Sequence, residues 1–311
     1  MRTLRILTIA LTACLMPVLL SCSDTDDDNW NPNPVDATNL NRNDTSQEPA
    51  LARLEFPKVK GDSSIVLIHT TNDSYGINYS VEWDTQKKSQ RWSCYQLNSE
   101  TLRQNATRYY DSGNQYPFDP LLSSEQYLSQ DCFWSSGFDH GHICPSADRL
   151  YSTEANYQTF FLTNMQPQYK AFNGSLSSPE SYKNEWSPWY RLEIQVRSWG
   201  RATTTEVLYV VKGGTIEDDQ IMPTLVKGEM RVPKYFFVAL LLKNKSGYKA
   251  AGFWMEHQSS YSAKLPLSSY LVNIRELEQK TGIDFFCNLP DDTEEHVETL
   301  PVENVKNAWG L

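Results

Sequence analysis

Excess positive charge is the first thing this sequence lacks: 28 Lys and Arg stand against 38 Asp and Glu, a formal net charge of −10 over 311 residues. Binding nucleic acid by counterion release calls for the opposite sign, so the total charge by itself argues for no such partner. Glycine (14) and proline (16) are too few for collagen-like or low-complexity sequence. No fixed period repeats, which removes coiled coils and solenoids. The apolar stretch from Ile6 to Leu20 is shorter than the roughly 20 residues of a membrane-spanning helix.

What is present points to a folded body. Apolar residues make up 40% of the chain and aromatics 12%, with 9 Trp, 17 Tyr and 12 Phe, too much for a disordered chain. The negative charge sits at the ends. Residues 23–50 hold seven acids against Arg42, residues 291–311 hold six against Lys306, and residues 51–290 hold 24 basic and 25 acidic side chains. A local basic cleft is therefore allowed.

Met1 to Ser21 has the layout of a secretory signal: Arg2 and Arg5, an apolar stretch, then Ser21-Cys22. Leu19-Leu20-Ser21-Cys22 is similar to a bacterial lipoprotein box, with Cys22 as the lipidated first residue of the mature chain. The expectation is an exported bacterial lipoprotein at the outer membrane or cell surface, attached to the membrane through the lipid on Cys22. Residues 1–21 are then the signal peptide and residues 22–60 a disordered acidic tether, rich in Asn, Asp, Thr and Pro. Residues 61–300 form one domain, because no linker divides them, and residues 301–311 a C-terminal tail. In an oxidising compartment Cys94, Cys132, Cys144 and Cys287 can form two disulfides, in any of three connectivities, with buried free thiols as the alternative.

The body mixes strands and helices. Ile65 to Ile68 reads as a buried strand, and Asn78–Asp84 with Arg91–Leu97 as a hairpin. Val207–Val211, Tyr235–Leu242 and Tyr248–Trp254 are further strands in succession, suggesting an antiparallel sheet. Apolar spacing predicts helices over Trp189–Trp199 and Ser268–Thr281.

Two of the five histidines lie two positions apart in Asp139-His140-Gly141-His142. In extended backbone both face one side, where they could approach a metal or a phosphate. Further on come Thr163-Asn164, Pro167-Gln168, Phe172-Asn173 and Trp189-Tyr190-Arg191-Leu192-Glu193. In that order these segments resemble the DNA/RNA non-specific endonuclease family, ββα-metal nucleases that include endonuclease G. The resemblance covers roughly residues 65–300. It implies an α+β fold with a central, mainly antiparallel sheet flanked by helices, and a Mg²⁺-dependent endonuclease (Mn²⁺ an alternative ion) that hydrolyses phosphodiester bonds of DNA and RNA. It further implies His142 as general base, Asn173 as the direct metal ligand, Glu193 as acceptor for the metal's waters and Asn164 as a residue that positions the site.

Two departures stand out. His140 occupies the family's usual Arg position, so either His140 or the nearby Arg149 is expected to contact the phosphate. Residues Gly174 to Pro188 intervene where the family has only a few, which makes Asn184 a rival to Asn173. The competing reading is a catalytically impaired surface lipoprotein that binds nucleic acid or another polymer. A third is a hydrolase using Cys144 as nucleophile with a neighbouring His.

Overall fold

The structure, a computed structural model, describes residues 38–72, 76–128, 131–174 and 187–311. The expected signal segment, Cys22 and Asn184 lie outside the described residues. In chain order the strands are β1 (Ser64–Thr70), β2 (Ile77–Asp84), β3 (Ser89–Leu97), β4 (Asp139–His142), β5 (Met165–Gln168), β6 (Val207–Gly214), β7 (Tyr235–Asn244), β8 (Gly247–Glu256) and β9 (Leu271–Val272). Seven form one antiparallel sheet, ordered β1-β2-β3-β6-β7-β8-β9, while β4 and β5 pair as a separate ribbon. The α-helices are α1 (Thr153–Gln158), α2 (Lys170–Asn173), α3 (Pro188–Arg201), α4 (Ile274–Thr281), α5 (Asp291–Thr299) and α6 (Val302–Trp309).

Period-two alternation along the central strands feeds two cores, one on each face of the sheet. Leu208 and Val210 of β6, with Phe236, Val238 and Leu240 of β7, face the core shared with the ribbon and with Trp189, Leu192 and Val196 of α3. Tyr209, Val211, Phe237, Ala239 and Leu241 face the other core, closed by Ile274 and Leu277 of α4, Phe285 and Val297. A sheet covered on both faces explains why β6 and β7 read as unbroken apolar runs rather than as alternating ones.

Four expectations are corrected. The segment from Thr38 to Lys60 is no tether: Phe56 is fully buried, and a 3-10 turn spans Pro49–Ala52. Its asparagines, read as disorder-prone by composition, find partners far along the chain. Asn39 Nδ2 donates to the Leu289 carbonyl at 2.6 Å and Asn41 Nδ2 to Glu294 at 2.9 Å. The C-terminal tail is helix α6, whose buried Trp309 donates from Nε1 to the Ala250 carbonyl at 3.1 Å. The helix expected from Ser268 begins only at Ile274, because Asn273 caps it by accepting the Glu276 N–H at 2.8 Å; the residues before it form a 3-10 turn and β9. Finally, Cys94, Cys132, Cys144 and Cys287 are buried thiols rather than two disulfides. Cys94 packs in one core and Cys132 and Cys144 in the other, on opposite faces of the sheet.

Candidate active site

The ribbon supplies the first wall of the site. His142 pairs across to Met165 and Asp139 to Gln168. Gly141 is required there, since a Cβ would lie 2.3 Å from the Gln168 side chain and 2.6 Å from the Gln166 carbonyl. The absence of a side chain at Gly141 thus lets the two strands of the ribbon approach closely. The shared face of His140 and His142 holds as expected: Tyr116 stacks on the His140 ring at 3.6 Å and meets His142 edge-on at 6.4 Å.

Asn164 turns out to be wholly buried. Its Oδ1 accepts the Cys144 N–H at 2.8 Å, and its Nδ2 donates to the Cys144 and Thr159 carbonyls. It clamps the chain just beyond His142 to the turn before β5, so it positions the ribbon and does not line the cleft.

Helix α2 follows β5 and ends at Gly174, whose φ of +70° closes the helix in the left-handed region. That ending sets Asn173 at the helix terminus, where its Nδ2 donates to Asp139 Oδ2 at 3.0 Å and leaves Oδ1 as the amide's acceptor. The start of α2 is held by His257, whose Nε2 accepts the Tyr169 N–H at 2.8 Å while Nδ1 donates to the Pro233 carbonyl at 2.9 Å. Burial pushes this imidazole down to about 4, so it stays neutral in that bridge. Ser187 couples α2 to α3 by accepting the Tyr190 N–H at 3.1 Å as N-cap and donating to the Phe172 carbonyl.

On α3, Tyr190, Glu193 and Arg197 fall on one face at i, i+3 and i+7. Trp189 and Leu192 are buried beneath that face. Lys212 reaches from β6, its Nζ 4.2 Å from the Trp189 ring centroid, and donates to Glu193 Oε1 at 2.9 Å. Arg197 pairs with Asp148 at 2.8 Å.

His142, His140, Asn173 and Glu193 thus converge on one cleft of about 1,420 Å³, together with Asp131, Asp139, Arg108, Arg197 and Lys170. His142 Nε2 is screened from solvent and has no hydrogen-bond partner among the described residues. The His140 carbonyl accepts a hydrogen bond from the imidazole, while burial, then Arg108 and His140 nearby, hold its pKa well below the usual value. The ring is neutral, with an unprotonated nitrogen to offer.

Arg149 is overturned as a phosphate contact. It is buried against Tyr95, and its guanidinium donates to the carbonyls of Asp148 and Gln96. His140 is sandwiched between Tyr116 and Phe133, and its Nε2 meets Asp131 at 3.0 Å, so it forms part of the cleft wall rather than an open cation. One cleft cation that sequence reasoning missed is Arg108, which lies 4.7 Å over the Phe160 ring and pairs with no carboxylate among the described residues. Nothing in its neighbourhood of the sequence announces it. Arg197 was missed as well, although it lies one helical turn after Glu193. Cys144 is excluded as a nucleophile, for burial pushes its thiol up to about 12.

A two-stranded ribbon ending in a neutral histidine, followed by a helix that presents a carboxylate to the same cleft, defines the ββα class of nuclease sites. The family model for DNA/RNA non-specific endonucleases matches residues 66–292, and the chain belongs to that family. It is a nuclease that hydrolyses phosphodiester bonds. The chain is 28% identical over 229 residues to a nuclease of Nostoc sp. (strain PCC 7120 / SAG 25.82 / UTEX 2576), covering 71% of this chain and 75% of that one. It is 26% identical over 220 residues to mitochondrial endonuclease G of Bos taurus, 68% of either chain. Its fold is similar to a chain in the crystal structure of the EndoG/EndoGI complex, with a TM-score of 0.55 and 20% identity over 74% of this chain and 89% of that chain.

Proposed function

We propose that the protein is a Mg²⁺-dependent endonuclease acting on both DNA and RNA, with His142 as general base. The observation that carries this reading is the unpartnered Nε2 of a neutral His142 in the cleft that also holds Asn173 and Glu193. A base must be unprotonated and within reach of the attacking water before it can help.

Among the described residues no three His, Cys, Asp or Glu side chains converge as a metal cage. The cleft offers hard oxygen donors singly, which suits an ion that keeps most of its waters, as Mg²⁺ does and zinc does not. Asn173 Oδ1 would hold the ion directly, and the free carboxylate oxygen of Glu193 would accept from its waters. Bound there, Mg²⁺ would clamp the scissile phosphate and stabilise the leaving 3′ oxygen. His142 Nε2 takes the proton of the attacking water, and the hydrogen bond to the His140 carbonyl keeps the proton of the other nitrogen in place. Arg108 faces the phosphate, and Lys212 fixes Glu193.

The sequence further supports export and attachment through a lipidated Cys22. No helix among the described residues is long and apolar enough to cross a membrane. Metabolic labelling with a palmitate analogue tests this, because Cys22→Ala must abolish the label.

Plasmid nicking with Mg²⁺ and with EDTA tests the activity. His142→Ala is expected to lose roughly 10² to 10⁴ in rate while keeping the Mg²⁺ dependence of the residual activity. Near-parental turnover of that variant would remove His142 from its role.

A further inference from the structure

The cleft has a feature that phosphate chemistry does not use. Trp134 is 77% exposed and Phe118 is 53% exposed, and both line the cleft that contains His142. Two large aromatic rings exposed on the wall of one cleft offer faces on which planar groups can stack.

Both rings stand on backbone tied by hydrogen bonds. Trp134 sits in the turn before β4, where Ser135 takes a φ of +58° and Gly137 one of +87°. A non-glycine residue in that region needs the surrounding structure to hold it there. Here the turn is held by Ser136 N–H donating to the Phe133 carbonyl at 3.0 Å and by Phe133 N–H donating to Asp131 Oδ1 at 2.9 Å. Phe133 is itself the ring stacked on His140. Phe118 is followed by Asp119, which is buried and bonded to His69 and Thr163. Its ring meets Tyr127 edge-on at 5.0 Å. The Phe118 ring is already packed against Tyr127, which lowers the entropic cost of using it in binding.

Charge gives a second reason. The cleft sets Arg108, Lys170 and Arg197 against Asp131, Asp139 and Glu193, and residues 51–290 are nearly neutral. Counterion release, the usual source of non-specific affinity, is therefore weak here. Stacking on aromatic faces is the sequence-tolerant alternative, and it needs bases that are not already stacked in a duplex.

We propose that Trp134 and Phe118 form a stacking subsite for unpaired nucleobases beside the scissile phosphate, so that the substrate class favoured is single-stranded nucleic acid, DNA or RNA. This rests on the nuclease reading of the same cleft and adds a residue-level basis for substrate choice.

Binding is measured by fluorescence anisotropy on the full chain carrying His142→Ala, with 20-mers of dT and of U and a duplex of equal length, at several salt concentrations. Single strands are expected to bind more tightly than the duplex and with shallow salt dependence. Adding Trp134→Ala is expected to weaken single-strand binding roughly five- to hundred-fold, the range of one lost base stack, and Trp134→Tyr to restore most of it. In the active protein Trp134→Ala lowers the ratio of single-strand to duplex kcat/KM by the same factor. Equal loss on duplex and single strand, or no loss at all, would each overturn the subsite. Absence of cleavage by the parent chain overturns the nuclease reading instead, and the anisotropy comparison still decides the subsite.

Discussion

His140 and His142 are separated by one glycine, yet their surroundings give them different chemistry. Both faces of the His140 ring are covered and its Nε2 is committed to Asp131, whereas His142 Nε2 has no partner among the described residues. With its pKa held well below 6.5, His142 keeps an unprotonated nitrogen into mildly acidic solution, as the proposed base must. The acid limb of kcat/KM is therefore expected below pH 6.5, and a limb at or above that value would contradict the assignment. The two arginines separate in the same way. Arg108→Ala should raise KM several-fold with the melting temperature held, since it removes a cleft cation with no carboxylate partner. Arg149→Ala should lower the melting temperature by several degrees, because deleting a buried, hydrogen-bonded side chain leaves carbonyls unpaired and a cavity, costing about 2–4 kcal/mol. Steady-state kinetics with thermal melts of both variants decides whether the roles are exchanged.

At the scale of elements, the folded arm Thr38–Lys60 lies against α4 and α5 through a group of carboxyls. Asn41 donates to Asp284 and Glu294, and Thr38 Oγ1 donates to Asp291 at 2.8 Å. Burial raises Glu278 and Glu294 to about 7 and Glu298 to about 10, with Arg275 and Lys58 as the cations that partly offset it. Carboxyls whose folded pKa exceeds the unfolded value bind more protons in the native state. Their contribution is complete below about pH 4.5 and is lost as pH rises through about 7. Amide hydrogen exchange over residues 38–60 is thus expected to be slower at pH 6 than at pH 8 after correction for intrinsic rates. Equal protection at the two pH values would show that the arm is held by Phe56 and backbone bonds alone.

At the scale of the whole molecule, the sheet divides the protein into a catalytic layer and a supporting layer, and Cys94, Cys132 and Cys144 are buried within those layers as thiols. Burial pushes the Cys94 thiol up, and that of Cys144 to about 12, which leaves too little thiolate to react. Reducing agent is expected to leave both melting temperature and activity unchanged, and iodoacetamide to label the folded body only after denaturation. A fall in melting temperature with dithiothreitol would reveal a disulfide.

The segments Asp139–His142, Phe172-Asn173 and Trp189–Glu193 were legible through their resemblance to a family motif, because each is short and keeps its order along the chain. The alternation of β6 and β7 was legible for a local reason: side-chain direction follows from backbone period. What tertiary structure alone decided were the partners. Arg149 lies near the motif in sequence but points into the core behind Tyr95, while Arg108 enters the cleft from a loop 31 residues before Asp139. The Asn-rich arm has the composition of a tether, yet it folds because Asp284, Leu289 and Glu294 present acceptors to it from about 250 residues away. Composition and spacing report what a segment can do locally. Whether a polar group is buried, paired or left facing a cleft depends on contacts between distant parts of the chain, and those contacts separated His140 from His142 and Arg149 from Arg108.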